Sequence, residues 1–300
     1  MKETPAPFKS GFVAIVGRPN VGKSTLLNYL AKRKVAVISD KPQTTRFKVK
    51  AIVNAPNAQI VLIDTPGLHK PRDPLGEALN AAVREAYREV DAIVFVVDAL
   101  EGIGGGDAFI AKELSAIDTP IILTLNKIDK VDRERLSEQL ELAKEFGDFS
   151  KALPISAVTG KNVDALLERI VELLPEGPKY YPDDAISDQP EGLIIAEFIR
   201  EKVFKLTEEE VPYSVAVDVE EVSPRKGAEL VDVSAVIYVE RESQKGIVIG
   251  KGGLKLKEIG SRARADIEHL LGSQIYLDLR VKVKREWRRD ESSVRRFGYA

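Results

Sequence analysis

Short apolar runs punctuate the first half of the chain: residues 12–16, 59–63, 92–97, 121–125 and 152–155 are rich in Val, Ile and Leu and carry no charge. Runs of this length without alternation read as strands buried on both faces. Between them, residues 24–32, 76–88, 107–115, 133–146 and 163–174 place apolar side chains at helical spacing. Strand–helix alternation of this kind predicts an α/β domain whose mostly parallel sheet is flanked by helices. Residues 47–55 form one more strand pattern, joined by Pro56-Asn57 to the next. So short a connection makes a hairpin, which places an antiparallel strand at the sheet edge.

The rhythm breaks over residues 174–190, where Pro175, Pro178, Pro182 and Pro190 fall among Gly, Asp and Lys. Such composition marks a linker. Beyond it the order changes to a helix at 193–206, strands at 213–221 and 231–240, a helix at 254–271 and a strand at 274–283. The expected organisation is an α/β domain over residues 1–178, a linker over 179–190 and an α+β domain over 191–300.

Composition narrows the chemistry. The chain has no cysteine, which excludes disulfides and thiolate metal or redox sites. His69 and His269 are its only histidines, which argues against a zinc enzyme or a Ser-His-Asp hydrolase. Residues 1–11 lack the apolar core of a signal peptide, and no apolar run approaches the roughly 18 residues of a membrane span, so a cytoplasmic protein is expected. Net charge is −2 overall, yet residues 245–300 hold 14 Lys and Arg against 7 Asp and Glu, and residues 191–244 hold 6 against 13. Concentrated positive charge is what a polyanion-binding face looks like in a sequence, although a solvated surface gives the same signal.

Gly17-Arg18-Pro19-Asn20-Val21-Gly22-Lys23-Ser24 follows the first strand and opens the first helix. That context defines a phosphate-binding loop: glycines let backbone N–H groups curl around phosphate oxygens, Lys23 adds a point charge, and the Ser24 hydroxyl can ligand Mg²⁺. Asp64-Thr65-Pro66-Gly67 closes the strand at 59–63. An acid there can hold Mg²⁺ through water, and Gly67 can offer its N–H to the γ-phosphate. Asn126-Lys127-Ile128-Asp129 ends the strand at 121–125. The Asp129 carboxylate can accept two hydrogen bonds from the guanine N1–H and N2–H₂ edge, a donor pair adenine lacks. Ser156-Ala157, after the last strand, is placed to cap the base through a backbone N–H. All these elements stand at C-terminal strand ends, where open α/β sheets bind ligands. Between them lies Asp40-Lys41-Pro42-Gln43-Thr44-Thr45-Arg46, whose threonines could complete a Mg²⁺ shell.

In the second half, Val248-Ile249-Gly250-Lys251-Gly252-Gly253 contains the GXXG pattern of a KH domain, whose loop clamps about four nucleotides of single-stranded RNA. Ile247 and Ile249 could floor a groove for bases, and Lys251 adds charge. Downstream, Lys282, Lys284 and Arg285 belong to a basic strand end suited to phosphate contact, or to a guarded edge strand. Trp287 favours a core position over base stacking, and the tail 295–300 reads as accessory.

Taken in order, these motifs resemble the Era family, bacterial GTPases with a C-terminal KH domain that act in small ribosomal subunit assembly. The resemblance spans nearly the whole chain and implies a P-loop GTPase domain followed by a type II KH domain. It implies that Asn20, Val21, Gly22, Lys23, Ser24 and Thr25 contact phosphates, that Ser24 and Thr45 bind Mg²⁺, and that Asp64 and Gly67 sense the γ-phosphate. Asn126, Lys127 and Asp129 would hold guanine, with Ser156 and Ala157 behind. Many GTPases place a water-orienting Gln after the sensor glycine, where this chain has Leu68, followed by His69. Related GTPases with an apolar residue there use a potassium ion, and Asn20 matches the asparagine that helps bind it. The expected partners are the 3′ end of 16S ribosomal RNA and the 30S subunit, for a monomer with weak peripheral membrane association permitted. The expected function is a GTP-hydrolysing switch coupled to RNA binding; the alternative is a GTPase whose KH domain only docks it.

Overall fold

The computed structural model describes residues 7–38, 49–65, 77, 87, 89–146 and 150–297. They fall into two compact units: the described residues within Met1–Ala36, Thr45–Lys70 and Leu79–Asp188, and those within Val37–Thr44, Pro71–Ala78 and Gln189–Ala300.

In the first unit, β1 (Lys9–Val16), β2 (Val49–Ala55), β3 (Ala58–Asp64), β4 (Ala92–Asp98), β5 (Ile121–Asn126) and β6 (Ser150–Pro154) form a sheet in the order β2-β3-β1-β4-β5-β6. Only β2 runs antiparallel, paired with β3 across the Pro56-Asn57 turn, where Asn57 takes a left-handed φ of 56°. Strand alternation decides which residue faces which core. Val13, Ile15, Val94 and Val96 enter one apolar cluster, whereas Ala14, Val16, Phe95 and Val97 enter the cluster on the opposite face. Helices α1 (Lys23–Ala31), α2 (Gly105–Leu114), α3 (Arg133–Ala143) and α4 (Val163–Leu173) follow strands as the pattern predicts. The expected helix over 76–88 lies outside the described residues, apart from helical Glu77 and Tyr87.

The proline-rich segment differs from a free linker. Its residues through Asp188 belong to the first unit. Gln59, fully buried on β3, accepts hydrogen bonds from the Tyr180 and Tyr181 N–H groups at 2.8 and 2.9 Å and donates to the Tyr181 carbonyl at 2.9 Å. The Ile52 N–H donates to the Ile186 carbonyl at 2.9 Å, and Tyr180 stacks on Phe12 at 5.3 Å. The segment thereby covers the open side of edge strand β2, whose bare backbone would otherwise invite pairing. Proline composition alone does not reveal such anchors, which sit on other strands.

In the second unit, β7 (Ala216–Pro224), β8 (Val231–Val239) and β9 (Ile275–Val283) form a sheet in that order, β7 antiparallel and β9 parallel to β8. Helices α5 (Glu191–Leu206), α7 (Glu242–Ile249) and α8 (Leu254–Leu271) accompany it, with a one-turn α6 (Val211–Ser214) before β7. The expected strand at 213–221 starts three residues later because Val211-Pro212-Tyr213-Ser214 closes a helical turn, with the Ser214 hydroxyl donating to the Val211 carbonyl at 2.9 Å. Helix α7 is absent from the expected order. Its N-terminus is held by the Gln244 side chain, which accepts from the Glu240 and Arg241 N–H groups at 3.0 Å each. Gln at N3 is half of a capping box, but the cap here is Arg241, and Gly246 weakens the helical pattern. The last described element is α9 (Glu291–Arg296), followed by Phe297.

Candidate nucleotide and RNA sites

The phosphate loop joins β1 to α1. Gly17 has φ 154°, and a β-carbon there would lie 2.3 Å from the Val96 carbonyl oxygen. Gly22 has φ 101°, and its β-carbon would lie 2.2 Å from Asn126 Nδ2. Side chains are therefore excluded where the loop packs on β4 and β5. Asn20 takes φ 64°, a left-handed conformation that Asn tolerates better than most residues. The buried Lys23 ammonium donates to the Gly17 and Arg18 carbonyls at 3.0 and 2.8 Å, which holds the loop closed around it. Burial pushes Lys23 down to about 8, against the opposing pull of the Asp64 charge.

Arg18 turns its guanidinium away from the loop. It donates to buried Asp107 at 2.9 Å and to the Gly102 carbonyl at 3.1 Å, so only its backbone serves the loop. Burial raises the Asp107 carboxyl above its ordinary range, while Arg18 pulls the other way. Pro19 and Val21 complete the curve, and Thr25 is half-buried in the first turn of α1.

At the end of β3, fully buried Asp64 accepts a 2.6 Å hydrogen bond from the Ser24 hydroxyl. A hydroxyl and a carboxylate side by side suit Mg²⁺, a hard cation that takes one or two protein oxygens beside phosphates and water. Among the described residues there is no group of three or more His, Cys, Asp or Glu that could hold a metal ion. Thr45 and Gly67, together with Leu68 and His69, lie outside the described residues.

Asn126 ends β5 and does not reach outward. Its Nδ2 donates to the Val21 carbonyl at 2.8 Å, and its Oδ1 accepts the Ala157 N–H at 2.9 Å. The Ser156 N–H donates to the Lys161 carbonyl at 3.0 Å. The backbone N–H groups of Ser156 and Ala157, one of which is expected to cap the base, are thus both bonded within the protein, and the Ser156 hydroxyl donates to Asp129 Oδ1 at 2.6 Å. Exposed Asp129 is steered by that bond. Lys127, at φ 68°, pairs its ammonium with buried Asp98 at 2.5 Å. Asp98 went unmarked by motif, although it ends β4 on the same sheet edge and lies opposite Asn126 in register. Asn28 lies in no motif, yet its side chain ties the Val35 and Ala36 backbone to α1 through three bonds of 2.7 to 2.8 Å.

In the second unit, Gly250, Lys251, Gly252 and Gly253 form a tight turn between α7 and α8. Gly250, Gly252 and Gly253 all have positive φ (73°, 59° and 79°), and a β-carbon on Gly250 would meet that of Lys255 at 2.7 Å. Ile247 is 43% exposed and Leu254 68% exposed beside the turn, while Ile249 is half-buried. From Gly253 a groove of about 500 Å³ runs between α8, with Leu256, Lys257 and Arg264, and the part of β9 from Leu279 back to Ile275. Lys282, Lys284 and Arg285 lie beyond that lining. Lys282 approaches Glu220 at 3.9 Å, and Lys284 sits over the Phe297 ring at 5.7 Å, so their charge is partly spent within the unit. Trp287 is fully buried and donates to the Ser214 carbonyl at 2.7 Å, as a core residue would. Phe297 packs edge-on against Trp287 at 5.4 Å, so the tail through Phe297 completes the core and is not accessory.

A mostly parallel sheet with a phosphate loop, followed by an α+β unit with a GXXG turn, defines a P-loop GTPase joined to a KH domain. Family models agree: residues 12–127 match the 50S ribosome-binding GTPase family and residues 210–288 match the KH domain. The chain is 52% identical over 292 residues to GTPase Era of Alkaliphilus oremlandii, covering 97% of this chain and 99% of that one. It is 53% identical over 293 residues to GTPase Era of Clostridioides difficile, with the same coverage. Among solved structures, an Aquifex aeolicus Era variant bound to GDP and AlF4⁻ superposes with a TM-score of 0.94 at 44% identity, covering 98% of this chain and 100% of that one. An Era in complex with MgGDPNP and nucleotides 1506–1542 of 16S ribosomal RNA gives the same TM-score and identity, covering 98% and 99%. The chain belongs to the GTPase Era family.

Proposed function

We propose that this chain is a Mg²⁺-dependent GTPase switch that binds the single-stranded 3′ end of 16S ribosomal RNA through its KH domain and assists assembly of the 30S subunit. The observation that carries the reading is the convergence of Lys23, the Ser24–Asp64 pair and Asp129 on one edge of the sheet. The Era bound to 16S nucleotides supports the RNA assignment.

In this reading the backbone of residues 17–25 wraps the phosphates. Lys23, released from its carbonyl partners by a better anion, neutralises the β/γ-phosphates. Ser24, Thr45 and, through water, Asp64 hold Mg²⁺, which supplies charge neutralisation at the reacting phosphate. Gly67 senses the γ-phosphate. Asp129 reads guanine, and the Lys127 stem covers the base while its ammonium stays on Asp98. Asn126 acts on the base indirectly, by clamping the phosphate loop to the Ala157 turn. Asn20 contributes to a K⁺ site that substitutes for a water-orienting Gln. Gly250, Lys251, Gly252 and Gly253 clamp RNA backbone, with Ile247 and Ile249 against bases; Lys282, Lys284 and Arg285 add a long-range positive field.

Protein work takes place in the cytoplasm as a monomer, with weak peripheral contact at the inner membrane face allowed. Among the described residues no helix is long and apolar enough to cross a membrane. The test is GTP turnover by the full chain in K⁺ and in Na⁺. The reading expects slow Mg²⁺-dependent hydrolysis of GTP but not ATP, faster in K⁺, with the K⁺ preference lost in Asn20→Ala. Equal rates in both salts would remove the K⁺ site, and equal use of ATP would remove the guanine assignment.

A further inference from the structure

The side chain of Arg18 leaves the phosphate loop and enters a socket built by residues 98–107. The start of that segment is wrapped on the end of β4. The Leu100 and Glu101 N–H groups donate to Asp98 Oδ1 at 2.9 and 3.3 Å, and the Gly102 N–H donates to the Asp98 carbonyl at 2.9 Å. Gly102, at φ 81°, then turns its own carbonyl to the Arg18 guanidinium at 3.1 Å. The Ile103 N–H is fastened to buried Gln139 of α3 at 2.8 Å. Gly106, in the first turn of α2, leaves the room that the arginine needs: a β-carbon there would lie 2.7 Å from Arg18 Cδ.

Asp107 closes the socket. It is fully buried in the first turn of α2. Its Oδ2 accepts the Gly104 N–H at 3.0 Å, half of a capping box. Its Oδ1 accepts Arg18 Nε at 2.9 Å. A helix cap calls for neither full burial nor an arginine. Taking the carboxylate out of water offsets most of what the ion pair gains, so the pair supplies placement more than stability. What it places is the first half of the phosphate loop. The Arg18 carbonyl, at the other end of the same residue, accepts the Lys23 ammonium at 2.8 Å. Asn126 fastens the second half of the loop through the Val21 carbonyl. Arg18, seated on Asp107, is the matching fastening of the first half.

We propose that Asp107, acting through Arg18, is a positioning residue of the nucleotide site: resting on the phosphate-binding reading of residues 17–25, it sets the loop backbone that receives the phosphates. It touches no nucleotide itself. Its effect falls on phosphate binding and leaves the reading of the base to Asp129.

The experiment measures the affinity of the full chain for GDP and for IDP, by displacement of a fluorescent GDP analogue, with melting temperatures alongside. IDP lacks the guanine 2-amino group, so the preference for GDP over IDP reports base reading alone. Wild type, Arg18→Ala, Asp107→Asn, the double variant and Lys23→Ala are compared. Asp107→Asn keeps the side-chain volume and an oxygen for the Gly104 N–H, so α2 stays capped while the charge that seats Arg18 is gone. Each single substitution is expected to weaken GDP by about tenfold, and the double variant by about tenfold as well, because both remove one and the same pair. The preference for GDP over IDP should stay at its wild-type value. A lowered melting temperature with GDP affinity within about threefold of wild type makes Asp107 a cap of α2 only and overturns the proposal. A loss of about 100-fold in the double variant, or a GDP preference that falls along with affinity, overturns it too. If Lys23→Ala loses GDP while Arg18→Ala and Asp107→Asn do not, only the positioning role fails. If Lys23→Ala binds GDP like wild type, the phosphate-loop reading fails and the positioning role with it.

Discussion

The Asn126 side chain donates a 2.8 Å hydrogen bond to the carbonyl oxygen of Val21, which ties the end of β5 to the phosphate loop. The approach is so close that Gly22 has no room for a side chain. With the Ala157 N–H on its other end, Asn126 holds together the loops assigned to phosphate and to base. Asn126→Ala removes both bonds and leaves a buried carbonyl and N–H without this partner, at about 1–3 kcal/mol each. Affinity for GDP should fall by about 100-fold or more, measured with a fluorescent GDP analogue. A loss under about threefold would contradict the clamp.

Asp129 carries the base preference by a different route. Replacing it with Asn turns one acceptor into a donor, which no longer suits the guanine N1–H and N2–H₂ edge but does suit the extra carbonyl of xanthine. Asp129→Asn should lose GTP and gain XTP in competition binding. Asn126→Ala should gain nothing from XTP, which separates the reading residue from the clamping one.

The buried Lys23 predicts a pH dependence. Its pKa falls from 10.5 to about 8 in the free protein, and bound phosphates restore the charged form. Between these values the nucleotide-free site has lost a proton that the complex keeps. Nucleotide binding there takes up a proton, and affinity falls as pH rises above about 8. The same lowered pKa means the unfolded chain binds more protons in this window, so the empty fold gains stability as pH rises through it. Calorimetry at about pH 8.5 in two buffers of different ionisation enthalpy measures the uptake directly. Lys23→Arg should show none.

Gln59 anchors the proline-rich segment with three hydrogen bonds to its backbone and donates a fourth to Asn54 at 2.9 Å. Gln59→Leu should destabilise the first unit by about 2–4 kcal/mol, the cost of stranding buried polar groups. Hydrogen exchange should locate the loss at Tyr180, Tyr181 and Ile186. Unchanged exchange there would mean that the segment is held by its other contacts.

The parallel sheet and its edge hairpin were legible because buried strands are written as uninterrupted Val and Ile runs, and the phosphate loop because its glycines are required by close backbone approach. What stayed hidden depends on partners distant in sequence. Asp98 is one acid among many until Lys127 meets it across the sheet edge. The docking of residues 180–186 depends on Gln59 more than a hundred positions earlier. Helix α7 hides behind an arginine cap and an interior glycine.

In the switch proposed above, GTP state and RNA binding are coupled. The most direct measurement is affinity of the full chain for a short single-stranded RNA of the 16S 3′ end, first with a non-hydrolysable GTP analogue and then with GDP. Tighter binding with the analogue, abolished by Gly252→Asp, is the expected result. Equal binding in both nucleotide states would contradict it and leave a GTPase that the KH domain merely docks.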